Sequence, residues 1–138
     1  MERGYAKKLS PREASLCTNR TWYLPHHPVF NENKPGKVRV VFDAASKFKG
    51  VSLNNMLKTG PDLANKLIGV LIRFRNFPYT LVADIEGMFH QVRVSDADRD
   101  SLRFLWVEKE TSTTFSTYQM NVHIFGATDS SCCATYAL

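Results

Sequence analysis

The sequence predicts an α+β chain with a mainly antiparallel sheet, and three observations carry that expectation. Two β-prone stretches, 102–107 and 115–124, flank a polar turn at 108–114 and read as an antiparallel pair. A third, KVRVVFD at 37–43, follows the turn signal Lys34-Pro35-Gly36 and alternates. Lys37, Arg39 and Val41 share one face, and Val38, Val40 and Phe42 share the other. Between them, Leu63, Leu67, Val70 and Leu71 recur near helical spacing and predict a helix over 62–74. With 138 residues, 43% of them hydrophobic, the chain suits one domain with a core of its own.

In chain order, residues 1–20 are polar and carry little signal. Ser10 as N-cap and Pro11 at the first helical position predict a short helix to about Asn19. TWYL at 21–24 is β-prone and stops at Pro25. His26 and His27 are neighbours whose side chains diverge on an extended segment, so they are not expected to share a metal. Ser52-Leu53-Asn54-Asn55 and Thr59-Gly60-Pro61 are turn punctuation. The helix begun at Asp62 ends on Arg73 and Arg75, as its dipole favours, and Pro78 stops it.

The most informative stretch is YTLVADIEGMFHQVRV, 79–94. Leu81-Val82-Ala83 reads as a buried strand that ends on Asp84. A carboxylate there faces a crevice more readily than a core, and its oxygens suit a hard divalent cation. The plainer reading makes Asp84 a turn cap and Phe89 ordinary core. A helical turn is expected at 87–89, then a short segment in which Val92 and Val94 flank Arg93. Ser95 is expected to cap a brief helix. Asp96, Asp98 and Asp100 read as capping acids, since the loop lacks the glycine and terminal glutamate of a calcium-binding loop. After a glycine turn at 125–128, a helix is expected to open at Asp129.

Charge is unevenly placed. Residues 1–83 carry 14 Lys+Arg against 5 Asp+Glu, and residues 84–138 carry 4 against 8. A basic first half suits contact with a polyanion, or else a solvated basic face. The cysteines, Cys17, Cys132 and Cys133, suit neither a disulfide framework nor a spaced zinc site, which points to a reducing compartment, cytoplasmic or nuclear. MERGYAKKLS has no apolar segment behind its charges and is not read as a secretory signal. No apolar run nears the roughly 18 residues of a membrane span.

Seven segments together carry a resemblance: WYLPHHPV (22–29), GKVRVVFDAA (36–45), SLN (52–54), GPDL (60–63), ADIEGMFHQVRV (83–94), DRDSLRFLW (98–106) and HIFGAT (123–128). In this order and spacing, over about residues 21–138, the chain resembles the reverse transcriptases of Bel/Pao-type LTR retrotransposons. The resemblance implies a partial right-hand polymerase fold: a polar segment at 1–20, a fingers-like part at 21–78, and the first part of a palm at 79–138. It implies RNA-directed DNA synthesis from dNTPs with Mg2+, on an RNA template and a DNA primer, alongside the remainder of a Pol polyprotein. Localisation would be cytoplasmic, in a virus-like particle, or nuclear.

Roles follow residue by residue from that resemblance. Asp84 matches the first catalytic aspartate, whose carboxylate binds the magnesium ions, and Ile85 adds its backbone carbonyl. Paired ions of this kind activate the primer hydroxyl and clamp the triphosphate. Phe89 matches the aromatic under the nucleotide sugar that screens a 2′-hydroxyl. Arg39 matches the fingers arginine on the incoming triphosphate, and Lys37 joins it. Asp43 fits a neighbouring structural aspartate, and Phe125 and Gly126 match the start of the motif that lies against nucleotide and template.

Two departures stand out. Where the family pattern continues Ser-Ser-Pro-Ser-Cys-Ala, this chain has Asp129-Ser130-Ser131-Cys132-Cys133-Ala134. The aromatic-X-Asp-Asp motif that would supply the opposing carboxylates does not occur in the 138 residues. Glu86 lies two positions beyond Asp84 on the same segment and is not expected to replace it. The chain alone is therefore expected to show little or no catalysis. The rival expectation is a non-enzymatic relic or domesticated module that binds nucleic acid through the basic half.

Overall fold

The computed structural model describes residues 3–30, 32, 36, 38–108 and 114–138. A three-residue strand, β1 (Ala6–Lys8), precedes helix α1 (Pro11–Ser15). Ser10 starts that helix through a capping box: its hydroxyl accepts the Glu13 N–H, and the Glu13 carboxylate accepts the Ser10 N–H at 2.8 Å. The helix ends four residues before Asn19. Strands β2 (His26–Phe30) and β3 (Val38–Phe42) pair antiparallel, with His26 opposite Phe42 and Phe30 opposite Val38. Pro28 sits within β2, which is tolerated in a two-stranded ribbon where each strand keeps one edge free. Short helix α2 (Leu53–Met56), capped by Ser52, and α3 (Leu67–Phe74) follow.

The 3₁₀ turns Met88–Gln91 and Arg99–Leu102 lead into β4 (Arg103–Trp106), β5 (Ser116–Met120) and α4 (Ser130–Ala137). β4 and β5 form the expected antiparallel pair, and β1 adds to the other edge of β5, giving the order β1-β5-β4. The expected turn at 108–114 lies mostly outside the described residues. Antiparallel sheets plus helices make the fold α+β, as the sequence predicts. Among the described residues no helix is long and apolar enough to cross a membrane.

The core gathers on one face of the larger sheet. Phe104 and Tyr118 stack across β4 and β5, Phe42 of β3 meets Phe104 edge-on, and Ile124, Leu53 and Leu24 close the cluster. His26 packs its ring among Phe42, Phe104 and Trp106. Arg103 is buried within this frame, its charge answered by Asp100 and its remaining donors by the carbonyls of Ala14 and Leu16.

Two further expectations change here. The buried strand at 81–83 is absent: residues 79–85 are irregular, with Leu81 98% and Val82 85% exposed. Among the described residues no strand runs alongside them. Three apolar residues without a ladder partner cannot satisfy their backbone N–H and C=O groups away from water, so they stay at the surface. The helix expected from Asp62 begins five residues later, at Leu67. The Asp62 carboxylate instead accepts the Ala64 N–H at 3.0 Å, a local turn that competes with helix. α3 keeps its apolar residues exposed, Leu67 and Ile68 above 70%.

Candidate functional site

The segment that carries Asp84 turns sharply at Gly87, whose φ of +60° suits a residue without Cβ. The expected helical turn follows as 3₁₀ at Met88–Gln91. It points Phe89 at Phe125, ring centroids 4.6 Å apart, while His90 meets Phe125 edge-on at 5.7 Å and Tyr5 at 4.9 Å. Two residues far apart in sequence, Phe89 and Phe125, are thus in contact. Burial pushes the His90 imidazole below its ordinary pKa.

Gly126 is fixed with similar economy. Its φ is +98°, and a Cβ there would lie 2.7 Å from the Phe42 carbonyl oxygen, so only glycine fits between β3 and this turn. The Gly126 carbonyl accepts the Asn54 side-chain amide at 2.9 Å, and Asn54 Oδ1 accepts the Thr128 N–H at 3.1 Å. Asn54, the last residue of SLN, therefore ties α2 to FGAT. The sequence alone gives no sign of this clamp.

Asp84 and Ile85 are exposed. Glu86 is turned away into an ion pair with Arg3 at 2.8 Å. Arg39 is exposed on β3 opposite Val29, and among the described residues no hydrogen bond, ion pair or ring contact joins it to Asp84 or Phe89. Lys37 lies outside the described residues. Asp84 belongs to no group of three or more potential metal ligands among the described residues. One carboxylate and one carbonyl do not fit a magnesium pair, which needs an octahedral oxygen shell around each ion.

The acids Asp96, Asp98 and Asp100 each face an arginine, Arg99, Arg20 and Arg103 respectively. A donor set that sequence reading missed lies elsewhere. His123, Asp129 and Cys133 place one ligand atom each within 4.8 Å of one another. The cysteines alone make no zinc site, but Cys133 acquires a histidine and a carboxylate through the fold. Its thiol is pushed up by burial first, then by the charge of Asp129. The available signal was Asp129 and Cys133 four apart on a helix, hence on one face.

No protein-family model matches the chain, and comparison with curated proteins returns no match.

Proposed function

We propose that this chain is the fingers and first palm part of a reverse transcriptase of the Bel/Pao retrotransposon type, copying RNA into DNA when a segment with the opposing carboxylates completes its palm. The observation that carries the reading is the ordered array of seven motifs. The contact Phe89–Phe125 supports it, because it joins two residues that the resemblance assigns to one nucleotide pocket. In that assignment Asp84 holds Mg2+ with the Ile85 carbonyl, Arg39 and Lys37 meet the triphosphate, and Phe89 lies beneath the sugar. RNA template, DNA primer and dNTPs are the partners.

The test is primer extension on an RNA template with Mg2+. The chain alone is expected to be inactive, and a fusion that adds an aromatic-X-Asp-Asp hairpin is expected to be active. Clear incorporation by the chain alone, lost in Asp84→Ala, would reject the dependence on added carboxylates. A folded but inactive fusion would reject the enzyme reading.

A second reading, a non-catalytic nucleic-acid-binding module, is favoured by one observation: Asp84 belongs to no cluster of three or more potential metal ligands among the described residues. It rests on the basic balance of residues 1–83 and requires affinity for RNA that falls steeply with salt. Salt-independent binding, or none in a folded sample, would remove it.

A further inference from the structure

We infer that His123, Asp129 and Cys133 form a site for a zinc-type divalent ion, separate from Asp84 and independent of the polymerase reading. Three features of the cluster converge. The donors are an imidazole nitrogen, a carboxylate oxygen and a thiol sulfur, the mixture that a borderline-soft ion takes and a hard ion such as magnesium does not. Their mutual spacing is at most 4.8 Å, against the roughly 3.3–3.8 Å between donors that Zn–ligand bonds of about 2.0–2.3 Å impose, a difference that side-chain rotation can supply. The third feature is an orphan. Asp129 Oδ1 is buried from solvent and accepts no hydrogen bond, a costly arrangement that a bound cation relieves.

The backbone holds the set in place. His123 donates its N–H to the Val92 carbonyl at 3.0 Å, fixing it on the segment that continues β5. Asp129 and Cys133 stand one turn apart at the start of α4, joined by the Cys133 N–H to the Asp129 carbonyl. Ser130 Oγ, buried, donates to the Ile124 carbonyl and lies 3.4 Å from His123 Nδ1, the ring nitrogen that also faces Asp129 Oδ2 at 3.9 Å. Cys132 takes no part, because its sulfur packs over Gly60. The ion would clasp the end of the sheet to α4. All three ligands border a cleft of about 720 Å³ that also meets Trp22, Leu57 and Arg93, so a fourth position is open to a ligand from the cleft. Asp129 is the ligand that departs from the resembled pattern, which has serine there; Cys133 falls on its cysteine.

The test uses the full chain, with Zn2+ measured by competition against a chromogenic chelator and Co2+ as the spectroscopic probe. One equivalent should bind, with a thiolate-to-cobalt charge-transfer band and a raised melting temperature. Cys133→Ser should abolish the band. Asp129→Ser should weaken zinc by more than the roughly 10–100-fold that loss of an outer partner costs. Cys132→Ser should change neither, and a large excess of Mg2+ should not displace the ion. Should Cys133→Ser fail to fold, alkylation of the wild-type chain decides: zinc must protect Cys133 and not Cys132. No stoichiometric uptake by a folded chain, a band that follows Cys132, or absence of that protection would overturn the site.

Discussion

Asp100 grips Arg103 from one turn away, its Oδ1 accepting from Nη2 at 2.8 Å and from Nε at 3.1 Å, and it accepts from Gln119 Nε2 as well. The guanidinium is 3% exposed at the side chain, so this one carboxylate answers a buried charge at the joint of β4, β5 and the segment after α1. Removing it leaves the arginine uncompensated. Asp100→Ala should cost about 3–5 kcal/mol of unfolding free energy, measured by urea denaturation. A loss under about 1 kcal/mol, the scale of an exposed pair, would show that water reaches Arg103 freely.

Asn54 makes two hydrogen bonds to the turn at Gly126 and Thr128, one as donor and one as acceptor. Asn54→Asp keeps the acceptor and loses the donor, while Asn54→Ala loses both. The expected order of stability is wild type, Asp, Ala, with the alanine variant down by about 1–3 kcal/mol in the same assay. Equal stability of all three would mean that solvent replaces both bonds at no cost.

These two residues mark what sequence reading reached and what it did not. The β4–β5 pair, the Ser10 cap and the α4 start were legible because each depends on local pattern. β3 forms where its pattern places it, but its expected apolar face is not buried: Val38 and Val40 are exposed and Phe42 alone of that face enters the core. β1 was not: two lysines in three residues look like solvated tail, yet charge is what keeps a sheet edge from pairing further. The strand expected at 81–83 failed for the opposite reason. Its local pattern is right, but a strand exists only with a neighbour. At the candidate site, Asp84, Phe89, Phe125 and Gly126 were picked out by resemblance, and the structure joins only Phe89 with Phe125 through their rings. The His123, Asp129 and Cys133 set depends on where a turn folds back, which spacing along the chain does not encode.

Glu13 offers a pH test of the capping box. Hydrogen bonds from the Ser10 backbone and hydroxyl, then the Lys7 ammonium, hold its carboxyl at about 2 against an ordinary 4.5. A folded pKa below the unfolded one contributes stability above the unfolded value, and that contribution fades as pH falls from near 4.5 through about 2. Carbon-detected NMR titration should place the Glu13 midpoint well below the other glutamates. Ser10→Ala should return it toward 4.5 and fray the start of α1. A midpoint unmoved by Ser10→Ala would assign the depression to the Ser10 backbone N–H and Lys7, with no part for the hydroxyl.

Phe89 and Phe125 allow packing to be separated from sugar selection. Edge-on and tilted ring pairs at this separation are worth about 0.5–1.5 kcal/mol beyond area burial, so a double-mutant cycle with leucine at each position should return coupling in that range. The functional effect should fall on one partner only. In a fusion made active by an added aromatic-X-Asp-Asp hairpin, Phe89→Val should leave DNA synthesis measurable while admitting ribonucleotides, because the wall beneath the sugar is shortened. Asp84→Asn, which keeps size but removes the charge, should abolish synthesis without weakening dNTP binding. Phe125→Leu breaks the same ring contact and should keep discrimination largely intact. Were both phenylalanine variants to lose discrimination equally, the ring pair would act as a unit that shapes the turn, and Phe89 would hold no separate place under the sugar. Were neither to lose it, both rings would be core packing beside the segment that carries Asp84.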